Sequence, residues 1–473
     1  MHTVDLIAFA PHMYTMEGEG VGYKADHALV VDGGKIVAVM KKEEALRAYQ
    51  AEKVLALPHH VLLPGLIDAH MHTGSNILRG LAQDTGYWMM YGVQPFSLQQ
   101  TIEDYEAGSK VAMIEAIKAG TTTLGDYQKD MQGRCEFLAK LGARGIITQT
   151  IRDAVKRVYE PGELYEFSEE LGEQSLGENL ALYDKWHGYD SGRIRVMFGP
   201  QGADFVSRDL LKRIYQLAKE RNTRVHMHTQ QGDRETAQME MRYGMRPVAW
   251  LKQEGLLNET LLAVHLTDCT EKEAQMVANS GASMIVCPGS IGIIDGIVPP
   301  SLAFQRAGGA VALGSDQACG NNCHNIFNEM KLVALFNKIK EKDPEVLPAW
   351  RALRMATIEG AKALGMHREI GSLEQGKRAD FIAVDTMQPS MMPIYTHPMR
   401  NMVPNLVYSA RGCEVDVSVE GRVIMEHQKL LAVDETQYLE QMQTRAQDLG
   451  QRATEMFEKI HGTNAVFMEE GKL

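Results

Sequence analysis

The sequence predicts an α/β chain, a (β/α)8 barrel that carries a β-sandwich built from both termini. Three observations lead there. The chain has 473 residues, enough for a barrel of ~250 residues with an appended domain. Its middle alternates strand-like and helix-like segments in eight successive units, which argues for a parallel sheet closed on itself. Its two ends instead carry short runs of β-formers around glycine turns.

Taken in order, residues 4–9, 27–31 and 35–39 alternate around Gly33-Gly34 and read as strands of a small sheet. Residues 1–61 are therefore assigned to the N-terminal part of the sandwich. The barrel is expected over 62–375. It opens on residues 62–73, LLPGLIDAHMHT, and continues with strands at 121–127, 144–150, 194–198, 224–229, 261–266, 283–287 and 310–316. Residues 380–384, 415–419 and 421–424 favour strands again, so 376–430 supply the C-terminal part of the sandwich. Residues 431–473 are expected as a helix and tail. Within them 435–460 is polar, with apolar residues at Tyr438, Met442 and Leu449, a pattern that packs on the barrel exterior or on a neighbouring subunit.

The opening strand ends in His70-Met71-His72. Alternate side chains of a strand share a face, so both imidazoles aim at one point beyond its end. That is a metal-ligand geometry, with a pair of satisfied core histidines as its rival. A catalytic metal site takes about three or four protein ligands and keeps a position for water, so later strands must supply the rest. Their C-terminal ends, where barrel enzymes place their chemistry, carry Asp126, His226, His228, His265 and Asp316. His226 lies deeper than His228 and reads as support behind a ligand or as packing rather than as a ligand; His324 and the pair His59-His60 read as surface or loop.

Composition narrows the partners. A net charge of -12 argues against nucleic acid and anionic membrane surfaces, which call for a basic face, and leaves a small molecule as the substrate. Cysteines at 135, 269, 287, 319, 323 and 413 are too scattered for a disulfide framework, and no leader-like segment precedes them, so a cytoplasmic location is expected. Cys319 and Cys323 read as loop packing. No run approaches ~18 apolar residues, so no membrane span is expected. The His-x-Glu and Pro-Cys-x-x-Cys pattern of the cytidine-deaminase type is absent.

Five stretches, LPGLIDAHMH, MHTQQGDRETAQMEMRYGMRPVAWL, the isolated His265, GSDQACGNNCHNIFNEMK and IGSLEQGKRADFIAVD, together resemble the amidohydrolase superfamily. The likeness is to its mononuclear branch of S-adenosylhomocysteine and methylthioadenosine deaminases and triazine hydrolases. The resemblance implies the barrel and the sandwich. It also implies one divalent ion per chain, zinc first with iron, manganese and cobalt as alternatives, held by His70, His72, His228 and Asp316. By the same comparison His265 stands beside the water on that ion rather than on the ion itself. Such an ion lowers the pKa of water from ~15.7 towards ~7, and Asp316 can then accept a proton and pass it to the leaving group. Relatives of this kind self-associate, so a homodimer or higher homo-oligomer is expected.

Two departures from the branch stand out. Three residues after the third metal histidine the deaminases carry Glu, and this chain has Gln231. An amide cannot shuttle a proton, although it can still hydrogen-bond a substrate. Either a nearby carboxylate substitutes, with Glu235, at i+4 on the same face if a helix begins there, the better candidate and Asp233 pointing away, or the substrate needs no protonation at that atom, which favours one with a good leaving group or a polarised carbonyl. Where nucleoside deaminases carry a ribose-binding Glu, this chain has Met89, within Tyr87-Trp88-Met89-Met90-Tyr91. Aromatic and thioether groups there suit a flat apolar ring, so Trp88, Met89, Tyr91, Gln231 and Asn322 are the expected substrate contacts. Residues 290–294 are likewise aliphatic. The expected reaction is hydrolytic deamination of a small apolar N-heterocycle. The alternatives are hydrolysis of a urea-like or amide-like C–N bond, dechlorination of a triazine-like ring, or, from another class, a catalytically silent relative that binds a ligand.

Overall fold

The alternation in the middle of the chain becomes a parallel barrel in the computed structural model, which describes residues 2–86, 88–157, 159, 162–410 and 414–473. Tyr87 and Cys413 lie outside the described residues. The first five strands are β1 (His2–Tyr14), β2 (Tyr23–Asp32), β3 (Lys35–Lys41), β4 (Tyr49–Ala56) and β5 (His60–Pro64). The barrel follows with β6 (Leu66–His72), β7 (Thr121–Gln128), β8 (Arg144–Ile151), β9 (Ile194–Pro200), β10 (Val225–Thr229), β11 (Leu261–His265), β12 (Ser283–Val286), β13 (Val311–Leu313) and β14 (Asp316–Gln317). Last come β15 (Phe381–Asp385), β16 (Val415–Val419), β17 (Arg422–Glu426) and β18 (Lys429–Leu430).

The eighth barrel strand is broken in two. β13 pairs with β12, and β14 pairs with β6 through Asp316 and Met71, which closes the ring. Gly314 lies in the break, where a Cβ would stand 2.7 Å from the His70 carbonyl oxygen; only glycine lets the last strand pass that close to the first. Side chains of β11 that lie in register with His226 and His228 are Leu262 and Val264. They join Ile67, Ile146, Met197, Ile285 and Ala312 in one buried cluster, a dry floor under the histidines.

Both chain ends meet in one sheet. β1 pairs antiparallel with β2 and parallel with β4 and β5, and β5 pairs antiparallel with β15, so N-terminal and C-terminal strands share a nine-stranded sheet. Alternation along β1 and β2 feeds two apolar clusters, Leu6, Ala8, Leu29 and Val31 in one, Val4, Ile7, Ala28 and Val30 in the other. The sequence reading missed β4 and the helix Lys42–Ala48 before it, because their residues are mostly polar and exposed. It also took 62–73 as one strand. The structure gives residues up to Pro64 to the terminal sheet and begins the barrel at Leu66, since Phe381 through Asp385 bonds along β5.

A buried ion cluster joins sheet and barrel. Arg144, at the start of β8, gives Nε to Asp380 Oδ2 at 2.7 Å and Nη2 to Asp380 Oδ1 at 3.1 Å and Glu420 Oε1 at 3.0 Å. The long C-terminal helix Glu435–Ile460 lies on the barrel exterior, burying Leu449 and Ala453. Its Arg445 and Arg452 bind Asp104 of helix Ile102–Lys118 at 2.8 and 2.5 Å.

Candidate active site

The histidines of β6 and β10 converge at the C-terminal mouth. Ligand atoms of His70, His72 and His228 lie within 4.8 Å of one another, as do those of His70, His265 and Asp316. Backbone strain accompanies the convergence: His265, Leu266, Asp316 and Gln230 all have positive φ, at 78, 52, 59 and 50°. Non-glycine residues held there cost of order 1–3 kcal/mol each and gather at functional sites.

Hydrogen bonds fix the imidazole tautomers. His72 Nδ1 lies 2.5 Å from the Tyr127 carbonyl oxygen and His228 Nδ1 2.9 Å from that of Gln201. A carbonyl only accepts, so both Nδ1 atoms carry the proton and both Nε2 atoms present lone pairs. Those two Nε2 atoms face each other at 3.3 Å. His70 repeats the logic one step deeper. Its Nδ1 lies 2.9 Å from His226 Nε2, whose other nitrogen lies 3.0 Å from Thr148 Oγ1, while His70 Nε2 is buried without a partner. Asp316 Oδ1 stands 3.4 Å from His72 Nε2 and 3.8 Å from His70 Nε2, and its Oδ2 is buried without a partner. Acceptors crowded round one point repel unless a cation sits among them, so this donor set fits a divalent ion.

Burial disfavours the charged form of four of these imidazoles. It holds the His70 and His228 imidazoles well below their usual range, with help from neighbouring imidazoles, and brings His226 down to about 3. His265 is lowered to about 4, by burial that outweighs the pull of Asp316, and neither ring nitrogen has a partner. It stands beside His228, ring centroids 5.5 Å apart.

Other strand-end residues brace the site. Asp126 accepts from Thr73 N–H at 3.1 Å and Thr73 Oγ1 at 2.5 Å, which fixes the turn after His72. Asp68 accepts from Ser315 N–H and Oγ at 3.0 and 2.5 Å, and Ser315 Oγ meets His324 Nδ1 at 2.8 Å. His324, read from sequence as surface or loop, is thus fully buried behind Asp316. The sequence offered no signal for this contact. Cys319 and Cys323 are free thiols, and among the described residues neither joins a metal-binding group.

The cluster opens into two joined lobes that share His72, Tyr105, Gln128, Gln201 and His228. One, about 260 Å³, is lined by Trp88, Met89, Gln231, Asp204, Glu235 and Asp316 among others. Helix Asp233–Tyr243 starts after Gly232, which puts Glu235 in its first turn. Glu235 Oε2 accepts from the Gln231 backbone N–H at 3.1 Å and Oε1 is buried without a partner. Burial, then the Asp204 carboxylate, pushes its carboxyl up to about 8. Asp233 is exposed. Of the expected substrate contacts, Tyr91 and Asn322 do not line either lobe. Tyr91 packs on Gly462, where an added Cβ would stand 3.1 Å from the Tyr91 Cβ, and Asn322 Oδ1 accepts from Gly80 N–H at 3.0 Å.

A parallel barrel with imidazoles and a carboxylate gathered round one point at its mouth defines a metal-dependent barrel hydrolase. The amidohydrolase family model matches residues 61–424, and the chain belongs to that family. It is 32% identical over 406 residues to a 5-methylthioadenosine/S-adenosylhomocysteine deaminase of Thermoanaerobacter pseudethanolicus, covering 85% of this chain and 90% of that one. It is 30% identical over 453 residues to a 5'-deoxyadenosine deaminase of Methanosarcina acetivorans, covering 95% and 99%. Among solved structures it is similar to an adenosine deaminase from Xanthomonas campestris with bound zinc, at TM-score 0.86 and 28% identity over 95% of this chain and 99% of that one. An atrazine chlorohydrolase from Arthrobacter aurescens, complexed with zinc, shares the fold at TM-score 0.82 and 19% identity, covering 93% and 100%. No helix among the described residues is long and apolar enough to cross a membrane.

Proposed function

We propose that the chain is a zinc-dependent deaminase of a small N-heterocyclic amine, with one ion held by His70, His72, His228 and Asp316. The observation that carries this reading is the pair of lone pairs facing each other at 3.3 Å on His72 and His228, with Asp316 beside them. An ion bound there supplies a Lewis acid that acidifies water from ~15.7 towards ~7. Water gives up two protons: Asp316 Oδ2 accepts one as water attacks the ring carbon and hands it to the leaving amine, and the other restores Glu235 after it has protonated the ring nitrogen. Neutral His265 donates one N–H to the charge that develops on the attacked centre. Glu235, protonated below about pH 8, delivers the proton that Gln231 cannot, from Oε1 to a ring nitrogen. Trp88 and Met89 hold the ring on the apolar side of the lobe.

The complete donor set and an available acid favour deamination over a silent ligand-binding relative, and Glu235 removes the main reason to prefer substrates that need no ring protonation. Metal analysis joined to an ammonia-release screen over amino-heterocycles tests the reading. About one zinc per chain with ammonia from at least one heterocyclic amine supports it; metal-loaded protein that releases none sinks it. Assembly as a homodimer belongs to the same proposal, and light scattering that gives a mass near 52.7 kDa would count against it.

A further inference from the structure

One buried histidine near the site has no part in the proposed chemistry. His324 is fully buried, and burial brings its imidazole down to about 4, so the ring is neutral near physiological pH. A neutral imidazole has one N–H and one lone pair. Only Nδ1 is used, against Ser315 Oγ at 2.8 Å, while Nε2 is buried without a partner. Burying an unpaired polar atom is costly, and an aliphatic side chain would fill the same space without that cost. What sets the imidazole apart here is its contact at Nδ1. The ring is held to that contact by its own backbone, whose N–H donates to Glu115 Oε1 at 3.2 Å, and Glu115 is in turn paired with Arg79.

Ser315 lies in the break of the eighth barrel strand, after β13 and directly before Asp316. All three of its polar atoms are taken. Its N–H and hydroxyl meet the two oxygens of Asp68 at 3.0 and 2.5 Å, its carbonyl accepts from Asn321 Nδ2 at 2.8 Å, and the same hydroxyl meets His324. A hydroxyl between two partners donates to one and accepts from the other. An imidazole can take either part by its choice of tautomer, so the chain from Asp68 through Ser315 to His324 closes whichever way its protons run. Beside this clamp Asp316 is held at a φ of 59°, a conformation that persists only where the surroundings enforce it. We propose that His324 is a positioning residue for Asp316: through the Ser315 hydroxyl it fixes the strand break, and with it the strained backbone that turns the Asp316 carboxylate towards His70 and His72. The inference rests on the reading of Asp316 as a metal ligand.

Chelator competition for zinc and the visible absorption of the cobalt-substituted protein report the metal site without turnover. Asp316→Ala sets the scale for loss of the carboxylate. His324→Leu, which keeps bulk and loses Nδ1, should weaken zinc about 10- to 100-fold, the usual cost of removing a group that orients a ligand, and should shift the cobalt absorption. His324→Asn, whose amide can stand in for Nδ1 as donor or acceptor, should recover most of the loss. Ser315→Ala should match His324→Leu, and the double variant should lose no more than either alone, because both substitutions break one clamp. Wild-type zinc affinity and cobalt absorption in His324→Leu, whatever its thermal midpoint, reduce the residue to packing and overturn the proposal, as do losses that multiply in the double variant. If His324→Leu does not fold, Ser315→Ala decides: wild-type zinc affinity there overturns the proposal, and a 10- to 100-fold loss supports it. Zinc bound by Asp316→Ala as tightly as by the wild type removes Asp316 from the ligand set and the proposal with it. Zinc weakened by Asp316→Ala but untouched by the other variants overturns the positioning role alone.

Discussion

Two buried polar clusters sit at opposite ends of the barrel and are built on opposite principles. At the strand N-termini Arg144 is closed by Asp380 and Glu420, donors matched to acceptors. At the strand C-termini His70, His72, His228 and Asp316 aim acceptors at one another and leave His70 Nε2 and Asp316 Oδ2 unsatisfied. A satisfied cluster holds two domains together. An unsatisfied one, kept in place by strained backbone and by supports such as Asp68 and Thr148, stores the capacity to bind something else.

The sharpest break of that contrast is His70→Ala. It should strip the metal and drop ammonia release to background while the chain stays folded, read by metal analysis beside circular dichroism; zinc that stays near one per chain removes His70 from the ligand set. Next, Glu235→Gln should slow turnover by ~10²–10⁴, the usual cost of losing a general acid, at unchanged zinc content. Wild-type kcat/KM should fall as pH rises through about 8, where Glu235 loses its proton, and that limb should vanish in the variant. Gln231→Ala should mainly raise KM. At the other end, Arg144→Met leaves the buried Asp380 carboxylate without its cation, while Glu420 keeps Arg378, and should cost about 3–5 kcal/mol in urea unfolding, with kcat intact in the folded fraction. A kcat loss there would mean the two clusters are coupled. His226→Ala removes only the support behind His70 and should weaken zinc binding ~10- to 100-fold, measured by competition with a chelator.

A further effect, independent of the metal cluster's ligands, is on stability against pH. Burial raises Asp68 to about 7 and Glu329 to about 8, so the folded state keeps protons that the unfolded chain releases above ~4. This contribution is complete near ~pH 4 and is lost as pH rises through 7 to 8. The urea midpoint should therefore be lower at high pH than at mildly acidic pH, and a midpoint that climbs would contradict the buried, protonated state of these groups.

Much of this was legible because it is local. The spacing of His70 and His72 fixes a shared face, and 435–460 shows its helix in its own apolar stripe. The i+4 step from Gln231 led to Glu235, whose carboxyl does reach back to the Gln231 backbone. What stayed hidden depends on chain segments far apart in sequence. Nothing near His324 announces that Ser315 and Asp68 will enclose it, and Asn322 looks like a ligand-binding amide until Gly80 is brought against it. β4 was missed for another reason: exposed at many positions, it has no apolar alternation to read, and only pairing with β1 makes it a strand.

The split eighth strand has a consequence for how the protein is made. Asp316 both pairs with the first barrel strand and completes the donor set, so ring closure and assembly of the site are one event. During synthesis His70 and His72 leave the ribosome early and Asp316 late, after every other barrel strand. On the proposed ligand set, a nascent chain offers only part of the donors until the barrel is shut, so ion binding and ring closure are expected to be coupled.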